Sequence, residues 1–266
     1  MSKDCCSEYP LPGPVKAGPG EVELVERLLA GLARPEAAID EVAVGARFLA
    51  IRAGDRTGLA STLGARPGPE GDALIGDLPG QELAEAARLL LSEDPFSLSL
   101  GLAALNAGCD PISEGLGLGA EELVAELGRG KEVVVVGDFP FTERLGQKVG
   151  RLHLFELRER PDRTPRAEWE ETLQRCQVVA ITSTALLTRQ MSYFLTQARQ
   201  AFKILLGPST PLSPALFDCG ADALAASLVA ETGPVMDGVR EGLPYHNLKR
   251  LGIDFVLWQR PQADKG

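Results

Sequence analysis

The chain has 266 residues, 44% of them hydrophobic and 24% charged, with a formal net charge of −10. This is the composition of a globular chain able to bury a substantial core. No apolar run approaches the roughly 18 residues of a membrane span, and the first ten residues lack the apolar stretch of a secretory signal, so a cytoplasmic protein with no membrane partner is expected. The charge is uneven: residues 1–128 carry 9 basic and 21 acidic side chains, residues 129–266 carry 18 and 16. Neither half has the basic surplus that a phosphate backbone demands, which argues against nucleic acid.

Residues 1–20 hold four prolines and three glycines and read as a loose leader. Glu21–Ala33 follows with Val22, Val25, Leu28, Leu29 and Leu32 at helical spacing, and Glu21 and Glu23 stand in the first turn, where the helix dipole favours them. Two strand-like stretches, Glu41–Arg52 and Thr57–Leu63, flank the turn residues Ala53-Gly54-Asp55-Arg56 and suggest a hairpin. Helices are expected over Gln81–Leu91 and Phe96–Ala107, the second with Asp94 as N-cap and Pro95 at its first position. Strands followed by helices make this half α+β.

Beyond the Gly-rich Gly115–Gly119 and a short helix over Ala120–Leu127, the pattern changes. Val133–Val136, Leu152–Phe155, Val178–Ile181 and Ile204–Leu206 are near-continuous apolar runs, as parallel strands buried on both faces require. Helix-length polar stretches separate them, notably Glu168–Cys176 and Thr188–Ala201, and further strands are expected at Leu224–Val229 and Phe255–Trp258. The fold class read from this order is α/β: a Rossmann-like, doubly wound, mostly parallel sheet over 126–262, preceded by a smaller α+β domain over 21–125.

In such a sheet, ligands bind beyond the carboxyl ends of the strands. The residues there are Gly137 to Phe141, Glu156, Thr182-Ser183-Thr184 and Gly207-Pro-Ser-Thr-Pro211. Ser209 and Thr210 precede an expected helix over Leu212–Phe217, where they could cradle an anion or only cap the helix. Glu156, 19 residues after Gly137, stands near the offset of a ribose-binding acid. That admits a transferase with an adenosine-type cofactor such as S-adenosylmethionine. A GxGxxG turn is missing, which disfavours ordinary NAD binding. Phe139 and its neighbour Phe141 could stack on a flat ligand or plug a domain interface. Thr182 to Thr184 could meet a ligand or cap the next helix. His153 reads as structural, and His246 is a weak candidate for any role. The five cysteines include no CxxC pair, so no zinc site of the usual spacing is encoded; the adjacent Cys5 and Cys6 are a soft-metal candidate.

The strings Val136-Gly-Asp-Phe-Pro-Phe141, Phe155-Glu-Leu157, Ile181-Thr-Ser-Thr184 and Leu206-Gly-Pro-Ser-Thr-Pro-Leu212 resemble a heavy-metal chelation domain family. So do Gly58-Leu-Ala-Ser-Thr62, Gly76-Asp-Leu-Pro-Gly80 and Gly101-Leu-Ala-Ala-Leu-Asn-Ala107 in the first half. The resemblance implies an N-terminal domain similar to that of enolase and a ligand cleft between the two domains. Carried over, that cleft involves Ser61, Thr62, Asn106, Gly137, Phe139, Glu156, Thr182, Ser183, Gly207, Ser209 and Thr210. The implied cargo is a heavy-metal ion or a metal chelate, or another small polar or anionic molecule. Ser183 stands where the family pattern has glycine, and Thr188 where it has asparagine. Whether a reaction follows binding, and whether the chain self-associates into a homo-oligomer, the sequence leaves open.

Overall fold

The computed structural model describes residues 16–110, 119–157 and 160–261. Most of the expected leader, the Cys5-Cys6 pair and most of the Gly115–Gly119 segment lie outside the described residues. The chain enters through helix α1 (Pro19–Ala30), whose Leu24, Val25 and Leu28 are buried. Strands β1 (Glu41–Val44), β2 (Phe48–Ala53) and β3 (Arg56–Ser61) form an antiparallel three-stranded sheet. The single strand expected over Glu41–Arg52 is therefore two strands, broken at Gly45 to Arg47. Gly45 closes the turn by donating to the Phe48 carbonyl at 2.9 Å. A Cβ built there would stand 1.8 Å from the Val239 carbonyl oxygen, so a distant segment fixes the break.

Helices α2 (Pro69–Asp77), α3 (Leu83–Ala87) and α4 (Pro95–Gly108) follow, with a 3-10 turn, Arg88–Leu91, after α3. Asp94 caps α4 as expected, its carboxylate accepting from the Ser97 N–H at 2.7 Å. Helix α4 is buried on all sides: it turns Ala103, Asn106 and Ala107 towards β3, and its fully buried Leu98, Leu100, Leu102 and Leu105 belong to the same core as Leu49, Ile51, Ala53 and Ala60 of the sheet. The alternate residues Phe48, Ala50 and Leu59 point to the opposite face, as the two-residue period of a strand requires.

The second half opens with α5 (Ala120–Leu127). It then alternates β4 (Glu132–Val136), α6 (Thr142–Gly146), β5 (Arg151–Phe155), α7 (Trp169–Arg175), β6 (Val178–Thr182), α8 (Met191–Gln197) and β7 (Phe202–Leu206). It closes with α9 (Ala215–Asp218), β8 (Ala223–Val229), α10 (Thr232–Arg240), α11 (Tyr245–Arg250) and β9 (Ile253–Gln259). The six strands form one sheet in the order β5-β4-β6-β7-β8-β9, parallel except for β9. The fold is α/β, with a small antiparallel sheet and a mostly parallel six-stranded one. Val133 and Val135 of β4 meet α5 and α6 on one face, while Val134 and Val136 join the core shared with Phe155, Trp169 and the first half. The stacked pair Phe155 and Trp169, 4.7 Å apart, anchors that core.

The two sheets are separate, yet each side of the chain covers the other. Val235, Met236 and Val239 of α10, with Leu248 of α11, bury the outer face of the three-stranded sheet. We propose a division of the chain near residue 125, with α10 and α11 packed across it. The helix expected over Leu212–Phe217 begins only at Ala215 because Pro211 and Pro214 interrupt the run. Helices α2, α6, α10 and α11 were not expected from sequence; they are short and carry Gly or Pro within or beside them.

Candidate functional site

Strands β5, β4, β6, β7 and β8 run parallel, so their carboxyl ends line one edge of the sheet. β4 is flanked by β5 on one side and β6 on the other, which puts the reversal of strand order between β4 and β6. A crevice at such a reversal is where open α/β sheets bind ligands. Gly137, just past β4, has φ +98°, and a Cβ there would stand 3.1 Å from Thr182 Cβ at the end of β6. Thr182 Oγ1 lies 2.9 Å from Thr184 Oγ1 and accepts from the Thr184 N–H, so this hydroxyl does cap the next turn. Ser183 is buried and its Oγ has no partner. At Gly207, φ +131°, a Cβ would approach that oxygen to 2.8 Å, so glycine is needed there on both counts. Phe139 and Phe141 stack on each other at 5.2 Å and pack against the α5 and α6 side of the sheet. They do not plug the junction between the sheets.

A second group gathers where β7 ends against the three-stranded sheet. Ser209 is fully buried, and its Oγ accepts from the Ser61 N–H at 2.8 Å. Asn106, on α4, donates from Nδ2 to the Ser209 carbonyl at 3.2 Å and the Leu59 carbonyl at 2.8 Å. Thr62 Oγ1 donates to the Ala46 carbonyl at 3.0 Å and accepts from the Gly64 N–H, shaping a loop in which Leu63 holds φ +48°. That conformation is costly for a branched side chain and marks a loop held in place by its surroundings. Ser209 and Thr210 neither cap a helix nor sit at a helix N-terminus. The N-cap of α9 is Pro214, with no side-chain bond. Ser209 clasps the two sheets together.

Beside the clasp, Asn106 Oδ1 and Thr210 Oγ1 are buried without a partner among the described residues. Both residues line a polar cavity of about 20 Å³ together with Thr57 of β3 and Ser227 of β8. That volume holds about one water molecule. Thr57 and Ser227 escaped sequence reasoning, because each is a single hydroxyl inside a strand and only the packing of β3 beside β8 brings them together.

Glu156 is not part of this group. It follows β5, and β4 and β6 lie between that strand and β7, a lateral separation of roughly 14 Å at the usual strand spacing. Its carboxylate accepts from the adjacent Leu157 N–H at 2.9 Å. Nearer the strand reversal the charges are Asp138, ion-paired with Arg160 at 3.3 Å and Arg163 at 3.2 Å. His153 is buried, with Nε2 3.5 Å from Glu132 Oε2, and burial lowers its pKa. His246 is exposed on α11. A larger surface hollow of about 610 Å³, bordered by Glu122, Glu126, Arg129 and Lys148, touches none of these residues.

Two family models, both described as "Putative heavy-metal chelation", match residues 25–109 and 120–256. The chain belongs to this family. Two solved structures, each of a protein of unknown function from the DUF364 family, are similar to it. One, from Desulfitobacterium hafniense, is 25% identical with a TM-score of 0.77, over 91% of this chain and 98% of that one. The other, from Pyrococcus horikoshii, is 16% identical with a TM-score of 0.73, over 91% of this chain and 100% of that one, and speaks to the fold alone. No curated protein sequence matches the chain. Among the described residues no three His, Cys, Asp or Glu side chains come together as a metal centre would need, and no helix is long and apolar enough to cross a membrane. The donors at the junction are hydroxyl and amide groups. Thiolates and imidazoles are what a soft heavy-metal ion prefers, so these residues do not fit such an ion bound directly.

Proposed function

We propose that the chain binds a small polar or anionic molecule, a metal chelate included, at the junction between the two sheets, with Asn106 and Thr210 as its principal contacts. One observation carries this reading: Asn106 Oδ1 and Thr210 Oγ1 are buried without partners and border the same polar cavity. Buried polar atoms are nearly always satisfied, and two orphans at one cavity invite a ligand that supplies a donor to the amide oxygen. Ser183, Gly137, Thr182 and Gly207 extend the polar edge towards the strand reversal. With room for about one water, the cavity must widen for a larger guest, and the Ser209 clasp is the contact that would yield. The metal then arrives with its own ligands, because the junction offers no soft donors.

Thermal shift distinguishes the options. Zinc and nickel salts should leave the melting temperature unchanged, whereas their citrate complexes should raise it. At about 100 times the Kd the rise should be roughly 5–10 °C. Thr210→Val should abolish most of the rise without lowering the melting temperature of the free protein. A rise with the bare ions, or one that Thr210→Val and Asn106→Leu leave intact, would place the site elsewhere.

A further inference from the structure

Far from the Ser209 clasp, α1 is seated on α8 through a buried acid. Glu21 is 4% exposed. Its Oε1 accepts from the Ser192 N–H at 2.6 Å, while Oε2 has no partner. The seat is close: a Cβ built on Gly20 would stand 2.5 Å from Ser192 Oγ. Arg189, just before α8, is 8% exposed and holds φ +59°. Its Nη2 donates to the Ser92 carbonyl, after the 3-10 turn, at 2.7 Å, while Nε and Nη1 have no partner. Among the described residues, Glu21 and Arg189 thus leave three buried polar atoms without partners, and Arg189 acts on Glu21 without an ion pair closing between them.

The charges on the elements packed against α1 act on other partners. Arg88 of the 3-10 turn pairs with Glu85. Asp218 and Cys219, at the end of α9, act on Arg27, which pairs with Glu23 further along α1. On α8, Tyr193 feels Glu170 and Arg166. Among the described residues, Glu21 is left with Arg189 as the one charge acting on it and with Ser192 as its hydrogen-bond donor.

We propose that Glu21 is a proton-operated latch: its neutral form keeps α1 docked on α8, and its ionised form loosens that contact. An ionised carboxylate in this seat has one hydrogen bond and no ion pair, against a full hydration shell when α1 is released. Burial raises its pKa from 4.5 to about 7, against the lowering effects of the Ser192 N–H and Arg189. The folded pKa lies above the unfolded one, so the stabilisation is complete below about 4.5 and is lost as pH rises through about 7.

Hydrogen exchange on the full chain, corrected for intrinsic rates, tests the latch. The opening constant of the α1 amides should rise roughly ten- to thirtyfold from pH 5.5 to pH 8. Glu21→Gln should flatten that dependence. Carboxyl carbon NMR on the unsubstituted protein should show Glu21 titrating near neutrality, and it serves alone if the variant fails to fold. The latch is wrong if protection is flat or increases with pH, if Glu21→Gln keeps the slope, if α1 opens only with global unfolding, or if Glu21 titrates near 4.5.

Discussion

Gly58→Ala is expected to destabilise the protein by about 3 kcal/mol or more, although it adds one methyl group. Gly58 lies in β3, paired with Ile51. A Cβ there would stand 2.0 Å from the Ala103 carbonyl oxygen and 2.3 Å from the Ala107 nitrogen. Both are backbone atoms of α4, so no side-chain rotation relieves the clash. The helix has to move off the sheet by more than an ångström, and with it goes the packing of α4 over the core that Leu49, Ile51 and Ala60 share with it. Gly54→Ala is the matched comparison. Gly54 sits in open space but at φ +62°, so it should cost only about 1–2 kcal/mol of backbone strain. Urea denaturation of the two variants checks the ranking, and equal midpoints would refute the close approach of α4 to β3. The displacement also carries Asn106, one residue from the clash, away from Ser209. Ligand binding should therefore fail in Gly58→Ala even where the protein remains folded.

The middle of the six-stranded sheet was legible because β4, β6 and β7 are short apolar runs bounded by polar or turn residues, and burial on both faces leaves that signature. The edge strands β5 and β9 are only partly buried and show it less cleanly. The break inside Glu41–Arg52 was not legible. Val44-Gly-Ala-Arg-Phe48 has weak turn chemistry, and the decisive contact comes from Val239, almost two hundred residues away. Glu21 misled for a similar reason. At a helix start it reads as a solvated acid favourable to the dipole, and only the docking of α8 buries it. The candidate site divides in the same way. Ser61, Asn106 and Ser209 are brought into contact, each from a quoted motif. Glu156 follows a strand as expected, but the sequence does not state strand order, and two strands stand between it and Ser209. Ser209 and Thr210 read as hydroxyls at a helix start, to cradle an anion or cap the helix, but Pro211 and Pro214 delay that helix to Ala215. Their roles at the junction depend on contacts with β3 and α4.

Asn106 and Thr210 should respond in opposite directions when replaced, although both carry orphan atoms at the same cavity. The amide of Asn106 is oriented by two carbonyls, Leu59 and Ser209, which both take Nδ2 and leave Oδ1 facing the cavity. Asn106→Ala deletes both bonds and strips the buried Ser209 carbonyl of this donor, so a loss of about 2–4 kcal/mol is expected. Asn106→Asp keeps the shape but turns a carboxylate towards two carbonyl oxygens. It should be at least as damaging, about 3–5 kcal/mol when ionised, with part of the loss recovered at acidic pH as the acid takes up a proton. Thr210 Oγ1 makes no hydrogen bond among the described residues, so Thr210→Val removes an unsatisfied buried hydroxyl while keeping its volume. The free protein should then be unchanged or up to about 1 kcal/mol more stable. That asymmetry is the mark of a group retained for a ligand at some cost to the fold. Denaturation midpoints with and without zinc citrate read both quantities from one set of samples. If Thr210→Val destabilises the free protein by as much as Asn106→Ala, the Thr210 hydroxyl is a structural bond, and the proposed ligand contact fails with it.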